Sequence, residues 1–223
     1  MINIFIDFAE TLGFRVLPEI ETDFKIVSNV LGIFDQRLKD DYENYCFTSN
    51  LYDRSLTFES FKEEMDLTTR HFAGFLKKRP TVNNVDQKAK KISELKYLTL
   101  THALYPDVKP ALENYKKMGN IFIVSDGRPS RRNTLNLLNL DCYAKTYFIS
   151  DEVGYLKNDK NFYLLIMKQI DLSDKVYFID DLVSNLDTFT EVRDVDCILV
   201  DRKNVYEPSQ VKYSLVNKLP LEL

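Results

Sequence analysis

The stretch INIFIDFAETL, residues 2–12, begins with an apolar run that ends on a single carboxylate, Asp7. A continuous apolar run without polar alternation is typical of a parallel strand that helices cover on both faces. Open parallel sheets bind their ligands at the carboxyl ends of the strands. The stretch therefore predicts a buried first strand that carries Asp7 to the edge of the sheet where ligands bind.

Further apolar runs predict the other strands of the same sheet. Together with the first run they cover residues 2–6, 121–124, 147–149, 176–179 and 197–200. Helix-like segments lie between the later runs, at residues 108–117, 131–138 and 162–169. Because strands and helices alternate, we predict an α/β fold with a doubly wound, parallel, Rossmann-like sheet.

The interval between the first two predicted strands has no comparable β pattern. Its apolar residues recur at helical spacing, as in Phe24, Val27 and Leu31. A helical block of this length is too long for a simple crossover between strands. We therefore predict two parts: a Rossmann-like core at residues 1–14 and 101–223, and an inserted α-helical cap at residues 15–100.

The composition excludes several classes of function. The 223 residues carry a formal net charge of −4, which argues against binding to nucleic acid or to an acidic membrane. No stretch approaches the roughly 20 apolar residues of a membrane span, and the N-terminus lacks the basic flank of a signal peptide. The cysteines form no zinc or redox motif. We expect a cytoplasmic protein, and the sequence leaves the oligomeric state unknown.

Polar residues follow the predicted strands at the positions where a ligand would bind. The second strand leads into Ser125 and Asp126, the fourth into Asp180 and Asp181, and a turn after the third leads to Lys157. Two adjacent acids at a buried sheet edge repel each other unless a cation compensates. Carboxylates and water are the ligands that hard cations prefer, so this edge predicts a Mg²⁺ site.

Four segments resemble the motifs of the haloacid dehalogenase superfamily of aspartate-nucleophile hydrolases. They are IFIDFAETL with Asp7, IFIVSDG with Ser125, DEVGYLKNDKNFY with Lys157, and VYFIDDLVSNLD with Asp180 and Asp181. Each motif alone is weak, but four in the right order at the right strand ends make the resemblance specific. A helical insertion after the first motif also fits one of the cap classes of that superfamily.

The resemblance implies roles for these side chains. Asp7 would attack a phosphorus or carbon centre and form a covalent aspartyl intermediate. The implied catalytic residues are Asp7, Ser125 and Lys157. The implied substrate-binding residues are Ser125, Lys157 and Asp126, and the substrate would be a small phosphorylated molecule.

The resemblance also implies how the site would hold Mg²⁺. The implied metal site consists of Asp7, Asp181, the backbone carbonyl of Ala9, and Asp180. Asp180 would orient Lys157 or a metal-bound water rather than bind the ion directly. Asn185 would support these groups from outside the ligand set.

Residue 9 departs from the pattern of the phosphatases in this superfamily. They carry a second aspartate there, which protonates the leaving group, whereas this chain has Ala9. A methyl group transfers no proton, and general acid–base help contributes about 10²–10⁴-fold to the rate. The favoured hypothesis is a Mg²⁺-dependent phosphatase with a weakened or altered general acid, in which Glu10, Asp126 or a cap residue could compensate.

Three alternatives remain open. Phosphonoacetaldehyde hydrolases also carry alanine at this place and use a cap lysine, for which Lys25, Lys39 and Lys62 are candidates. A 2-haloacid dehalogenase needs no proton for its leaving halide, but it also needs no metal, and the acidic pair argues against it. A binding protein for a phosphorylated ligand, without turnover, is the third. The cap arginines that could contact an anion are Arg15, Arg37, Arg54 and Arg70.

Overall fold

The computed structural model describes residues 1–53, 55–171 and 173–223. The chain divides into two units, which we call the core unit, Met1–Phe14 with Ala103–Leu223, and the cap unit, Arg15–His102. The sequence predicts that the second segment of the core begins at residue 101. In the structure this segment begins two residues later, at Ala103.

The strands follow the chain in an order that creates a central crevice. In chain order they are β1 (Ile2–Asp7), β2 (Gly13–Arg15), β3 (His102–Leu104), β4 (Asn120–Ser125), β5 (Thr146–Ile149), β6 (Lys175–Asp180), β7 (Asp196–Val200) and β8 (Ser214–Val216). Six of them form a parallel sheet in the order β5-β4-β1-β6-β7-β8. The chain leaves β1 towards one side of the sheet and later returns to its other side. The carboxyl end of β1 is therefore the switch point where doubly wound folds bind ligands.

Helices accompany the strands throughout the described residues. In chain order they are α1 (Glu19–Leu31), α2 (Gln36–Phe47), α3 (Phe61–Lys77), α4 (Val85–Leu98), α5 (Val108–Met118), α6 (Arg131–Leu137), α7 (Ser150–Val153), α8 (Lys160–Ile166) and α9 (Val183–Val192). None of them, within the part of the chain that the structure describes, combines the length and the apolar character that crossing a membrane requires.

Both faces of the central sheet are buried, which explains why the interiors of the strands are almost continuously apolar. Ile4 and Ile6 of β1 belong to one apolar cluster, together with Leu112 of α5. Phe5 points to the opposite face and belongs to a second cluster, together with Phe189 of α9. Since successive side chains of a strand point to opposite faces, a strand covered on both sides needs apolar residues throughout.

The predicted fold class is confirmed, and each of the five predicted strands is present. The observed strands are slightly longer than the apolar runs, because Asp7, Ser125 and Asp180 are themselves the last residues of β1, β4 and β6. The edge strand β8 and the short pair β2 and β3 were missed. Each of these has only three residues, which is too few for a periodic pattern to be seen.

The cap unit is built from helices α1 to α4 and has an apolar core of its own. Val27 of α1, Tyr42 of α2, Phe72 of α3 and Ile92 of α4 are fully buried in one cluster. Local signals define the helix ends: for example, the hydroxyl of Ser60 accepts a hydrogen bond from the backbone N–H of Glu63 at the start of α3.

Candidate active site

Three neighbouring strands at the centre of the sheet end in polar residues. Asp7 ends β1, Ser125 ends β4 and Asp180 ends β6. In the sheet, Asp7 lies opposite Val124, the residue before Ser125. Ile6 lies opposite Ile179, the residue before Asp180. The strand pairing thus brings these three residues, which are far apart in the sequence, to one edge.

Lys157 reaches this edge from the turn that follows α7. Gly154 begins the turn with a φ of 87°, a left-handed conformation that glycine adopts without strain. The backbone N–H of Lys157 donates to Oδ1 of Asp126 at 2.9 Å. Its Nζ donates to Oδ2 of Asp180 at 2.8 Å and to Oδ1 of Asp7. With 3% of its surface exposed, Lys157 is a buried ammonium that bridges two carboxylates.

The charges at this edge are unbalanced. Burial raises the pKa of Asp7 well above its usual value; Lys157 opposes this rise, while Asp180 and Asp181 add to it. Burial, together with repulsion from Asp180, raises the pKa of Asp181 to about 6. Burial would lower the pKa of Lys157, but the attraction of Asp180 and Asp7 outweighs it and raises that pKa. Three carboxylates share one ammonium, so the site favours a further cation.

The Asp180 carboxylate is fully engaged by protein donors. Its Oδ2 accepts from Nζ of Lys157, and its Oδ1 accepts from the backbone N–H of Leu182 at 2.9 Å. The side-chain amide of Asn185 donates to both oxygens, at 3.0 and 3.2 Å. Asp180 is therefore suited to orienting Lys157, and Asn185 holds Asp180 in that orientation.

The remaining oxygens at this edge are suited to a hard cation. Carboxylate oxygens of Asp7, Asp180 and Asp181 lie within 4.8 Å of one another. Oδ2 of Asp7 is buried and accepts no hydrogen bond from any residue that the structure describes. Because Asp180 is already engaged, Asp7 and Asp181 offer the available oxygens. Their chemistry matches the oxygen ligands that Mg²⁺ prefers.

Two predicted substrate-binding residues lie beside this cluster. Ser125 is buried, and its hydroxyl donates to the backbone carbonyl of Asp126 at 3.2 Å. Asp126 is exposed, and its carboxylate fixes the backbone of Lys157. That Ser125 and Asp126 bind the substrate stays a prediction.

The turn after Asp7 contains contacts that sequence reasoning missed. Ala9 is exposed, whereas Oε2 of Glu10 accepts from the Tyr105 hydroxyl at 3.1 Å and pairs with Nζ of Lys203 at 3.1 Å. Tyr105 lies 95 positions further along the chain, and neither it nor Lys203 belongs to a recognisable motif. No signal in the sequence marks these two partners.

The four arginines that are candidates for anion binding belong to the cap unit. Arg15, Arg37 and Arg70 are exposed. Arg54 lies outside the described residues. Their contacts with a substrate remain predictions.

Comparisons with known proteins identify relatives of this fold. A model of the haloacid dehalogenase-like hydrolase family matches residues 5–191. The solved structure of 2-haloacid dehalogenase from Pseudomonas syringae pv. Tomato DC3000 is similar with a TM-score of 0.65 and 17% identity, covering 98% of this chain and 95% of that one. A haloacid dehalogenase-type phosphatase from Thermococcus onnurineus has a TM-score of 0.59 and 18% identity, covering 98% and 94%.

A third similar structure was solved with a metal. The hydrolase YfnB from Bacillus subtilis, bound to magnesium, has a TM-score of 0.55 and 14% identity, covering 97% of this chain and 94% of that one. At these identities the three structures show a shared fold. No curated protein sequence matches the chain.

Proposed function

Because the chain belongs to the haloacid dehalogenase-like hydrolases, we propose that it is a Mg²⁺-dependent phosphatase. Its substrate would be a small phosphorylated metabolite with a good leaving group. The observation that carries this proposal is the buried Asp7 carboxylate, of which Lys157 holds one oxygen while the other has no partner among the described residues. Such a carboxylate is both oriented and available, as a nucleophile must be.

In the proposed mechanism, the Asp7 carboxylate attacks the phosphorus of the substrate. A bond forms between a carboxylate oxygen and phosphorus, and the bond between phosphorus and the leaving oxygen breaks with its electron pair. Water then hydrolyses the aspartyl phosphate and releases inorganic phosphate. Lys157 stabilises the negative charge of the phosphoryl oxygens, and Ser125 donates a hydrogen bond to one of them.

Mg²⁺, held by Asp7, Asp181 and the backbone carbonyl of Ala9, would supply a positive charge that offsets the repulsion between the nucleophile and an anionic substrate. Asp7 must be ionised to attack, and its raised pKa opposes this. Lys157 already favours the ionised carboxylate, and a bound cation would favour it further. Asp180 keeps the ammonium of Lys157 in place through its own hydrogen bonds.

Residue 9 limits the substrates that this mechanism serves. Ala9 donates no proton to the departing oxygen, and the carboxylate of the neighbouring Glu10 is engaged by Tyr105 and Lys203. A leaving group that is stable as an anion needs no such proton, so acyl and aryl phosphates are the favoured substrates. Alkyl esters such as sugar phosphates would be hydrolysed more slowly, by the factor of about 10²–10⁴ that general acid catalysis normally contributes to the rate.

The test is the dependence of rate on the leaving group. With Mg²⁺ present, we expect acetyl phosphate and para-nitrophenyl phosphate to be hydrolysed far faster than alkyl phosphates. Ala9→Asp should raise the rate for alkyl phosphates and flatten the dependence on leaving-group pKa. Asp7→Asn should abolish turnover of every substrate. Equal rates for all leaving groups in the natural chain would show that another residue supplies the proton, and Glu10 would be the first to mutate.

The phosphonate alternative needs a cap lysine that is uncharged, because only a free amine forms a Schiff base. Lys25 and Lys39 form exposed ion pairs with glutamates one helical turn away. Lys96 is buried, but Asp23 and Glu19 outweigh the effect of burial and raise its pKa. The raised pKa of Lys96 keeps this buried amine charged, which supports the phosphatase over a phosphonate hydrolase that would use Lys96.

The proposed partners are restricted to small molecules. The acidic balance of the chain, with a net charge of −4, gives no support for binding nucleic acid or an acidic membrane. The three cysteines are free thiols, which suits the reducing cytoplasm in which we propose that the protein acts.

A further inference from the structure

Arg202 follows strand β7 in the core unit, and its side chain is buried, with 6% of its surface exposed. Its Nη1 donates to Oδ1 of Asp107 at 2.8 Å, and its Nη2 donates to the backbone carbonyl of Thr11 at 2.8 Å. Burying a charge is costly unless the charge is paired and hydrogen-bonded. The contacts of Arg202 therefore offset a cost that an apolar side chain at this position would avoid.

Thr11 lies in the turn that follows Asp7 and leads out of strand β1. Part of this turn is closed by its own backbone, since the N–H of Leu12 donates to the carbonyl of Phe8 at 2.9 Å. The carbonyl of Thr11 instead accepts from a side chain 191 residues away in the sequence. Arg202 thus ties a locally closed turn to a distant part of the core unit.

The same guanidinium also reaches the turn through Tyr105. The guanidinium carbon lies 4.2 Å from the centroid of the Tyr105 ring, which is the geometry of a cation–π contact. The hydroxyl of this tyrosine donates to Oε2 of Glu10 at 3.1 Å, and its backbone N–H donates to the carbonyl of Leu12 at 3.1 Å. Arg202 and the tyrosine on which it stacks therefore hold the turn at three consecutive positions, residues 10–12.

The order of the strands places this contact beside the candidate site. Strand β6, which ends in Asp180, lies between β1 and β7 in the sheet. Arg202 therefore joins the segments that follow the two strands on either side of β6. Thr11 comes four residues after Asp7 and two after Ala9, whose carbonyl is a proposed ligand of Mg²⁺. Reacting and metal-binding groups must be held within about 0.5 Å of their productive geometry, so the turn that carries them must be firm.

We propose that Arg202 is a positioning residue, which fixes the turn after β1 and thereby holds the Asp7 carboxylate and the Ala9 carbonyl in place. The inference rests on the proposed function for its kinetic and metal-binding parts only. Arginine suits this role better than lysine, because its planar guanidinium donates in two fixed directions at once. One direction is taken by the Asp107 carboxylate and the other by the carbonyl of Thr11.

Tyr115 on α5 provides a matched control in the same unit. It is fully buried, and its hydroxyl donates to the backbone carbonyl of Pro220 at 2.6 Å. Tyr115→Phe removes one hydrogen bond from a buried side chain to a backbone carbonyl, as loss of the Arg202 contact with Thr11 does. The two changes differ in whether the carbonyl belongs to the turn after Asp7.

The first test needs neither enzyme activity nor metal. Hydrogen exchange of the backbone amides in residues 8–13 is measured by mass spectrometry in the natural chain, Arg202→Lys and Tyr115→Phe. Arg202→Lys keeps a charge opposite Asp107 but loses the second fixed donor. Exchange in residues 8–13 should become at least about tenfold faster, the effect of losing one hydrogen bond from a charged group. No acceleration in Arg202→Lys, or the same acceleration in Tyr115→Phe, would overturn the proposal.

A double variant keeps this test decisive if Arg202→Lys does not fold. Arg202→Met combined with Asp107→Asn removes both charges, so no unpaired charge is left buried. The asparagine oxygen still accepts from the backbone N–H of Leu219, which Asp107 binds at 2.8 Å. The same acceleration is expected in residues 8–13, because the carbonyl of Thr11 has lost its donor. Exchange as slow as in the natural chain would contradict the positioning role.

The second test measures what the turn does for the site. With para-nitrophenyl phosphate and Mg²⁺, Arg202→Lys should lower kcat about tenfold and change KM less than about twofold, because a loosely held nucleophile is misaligned more often. Calorimetric titration should show Mg²⁺ binding that is weaker by about three- to tenfold. Tyr115→Phe should leave kcat and the affinity for Mg²⁺ unchanged.

Natural values of both kcat and Mg²⁺ affinity in Arg202→Lys would overturn the positioning role. Absence of phosphatase activity in the natural chain would instead contradict the proposed function, and the exchange experiment would then decide on Arg202 alone.

Discussion

Glu10 has a left-handed backbone, with a φ of 63°, in the turn that follows Asp7. A residue with a side chain pays about 1–2 kcal/mol for this conformation, and the superfamily that the motifs resemble generally has a small residue at this position. Hydrogen bonding to Tyr105 and pairing with Lys203 offset part of this cost. The turn therefore holds backbone strain at one residue, Glu10, close in the chain to Asp7, the proposed nucleophile.

Substitutions at Glu10 separate the strain from the side-chain contacts. Glu10→Ala loses the contacts and keeps the strain, whereas Glu10→Gly loses the contacts and relieves it. We expect the glycine variant to be more stable than the alanine variant by about 1 kcal/mol, despite the greater entropy of glycine in the unfolded chain. Urea unfolding of both variants measures the difference. An alanine variant as stable as the glycine variant would show that the turn relaxes out of the left-handed region.

Helix α3 of the cap unit buries an uncharged histidine. His71 is 6% exposed, its Nδ1 lies 2.5 Å from the hydroxyl of Ser49, and its Nε2 lies 3.5 Å from the hydroxyl of Tyr42. Burial lowers the pKa of His71 from 6.5 to about 4, and the nearby charge of Lys96 contributes in the same direction. The helix thus places a titratable group where only its neutral form is stable.

This histidine makes stability depend on pH. Above pH 6.5 His71 is neutral in both the folded and the unfolded chain, so folding does not require it to release a proton. Between pH 6.5 and about 4 the unfolded chain binds the proton and the folded chain does not, so stability falls as the pH falls. The loss should reach about 3 kcal/mol. We expect urea unfolding at pH 7 and pH 4.5 to show a smaller difference in the free energy of unfolding in His71→Gln than in the natural chain. An equal difference would contradict a buried neutral histidine.

The whole molecule should be stabilised by Mg²⁺ if the core site binds it. A ligand that binds only the folded state at 100 times its Kd adds about 2.7 kcal/mol, and for a chain of this size that raises Tm by roughly 5–10 °C. The rise should disappear in Asp181→Asn, because that variant loses a ligand oxygen with its charge. Asp194→Asn, which removes an exposed acid outside the site, is the matched control and should keep the rise.

The same variants carry a second expectation of opposite sign. In EDTA, Asp181→Asn should unfold at the same or a higher temperature than the natural chain, since the raised pKa of Asp181 reports the burial of its charge and the repulsion from Asp180, and asparagine removes both. Calorimetry with EDTA and with Mg²⁺ measures both effects. A Mg²⁺-dependent rise in Tm that persists in Asp181→Asn would exclude Asp181 as a ligand.

Much of the core could be predicted from sequence because the relevant signals are local. A strand buried on both faces must be apolar throughout, so the runs that include Ile6, Ile123 and Ile179 were visible in the sequence, and each strand leads directly into its polar residue. The parallel order then brings Asp7, Ser125 and Asp180 to one edge without further information. The fold class and the location of the candidate site therefore follow from pattern and chain order.

The partners of those residues could be known only from the tertiary structure. Lys157 bridges Asp7, 150 residues away, and Asp180, and Glu10 is held by Tyr105, 95 residues away. Each depends on how side chains from separate elements pack, because hydrogen bonds form or fail over distances of less than 1 Å. A sequence pattern specifies which face a side chain points to, but packing decides which atom it meets.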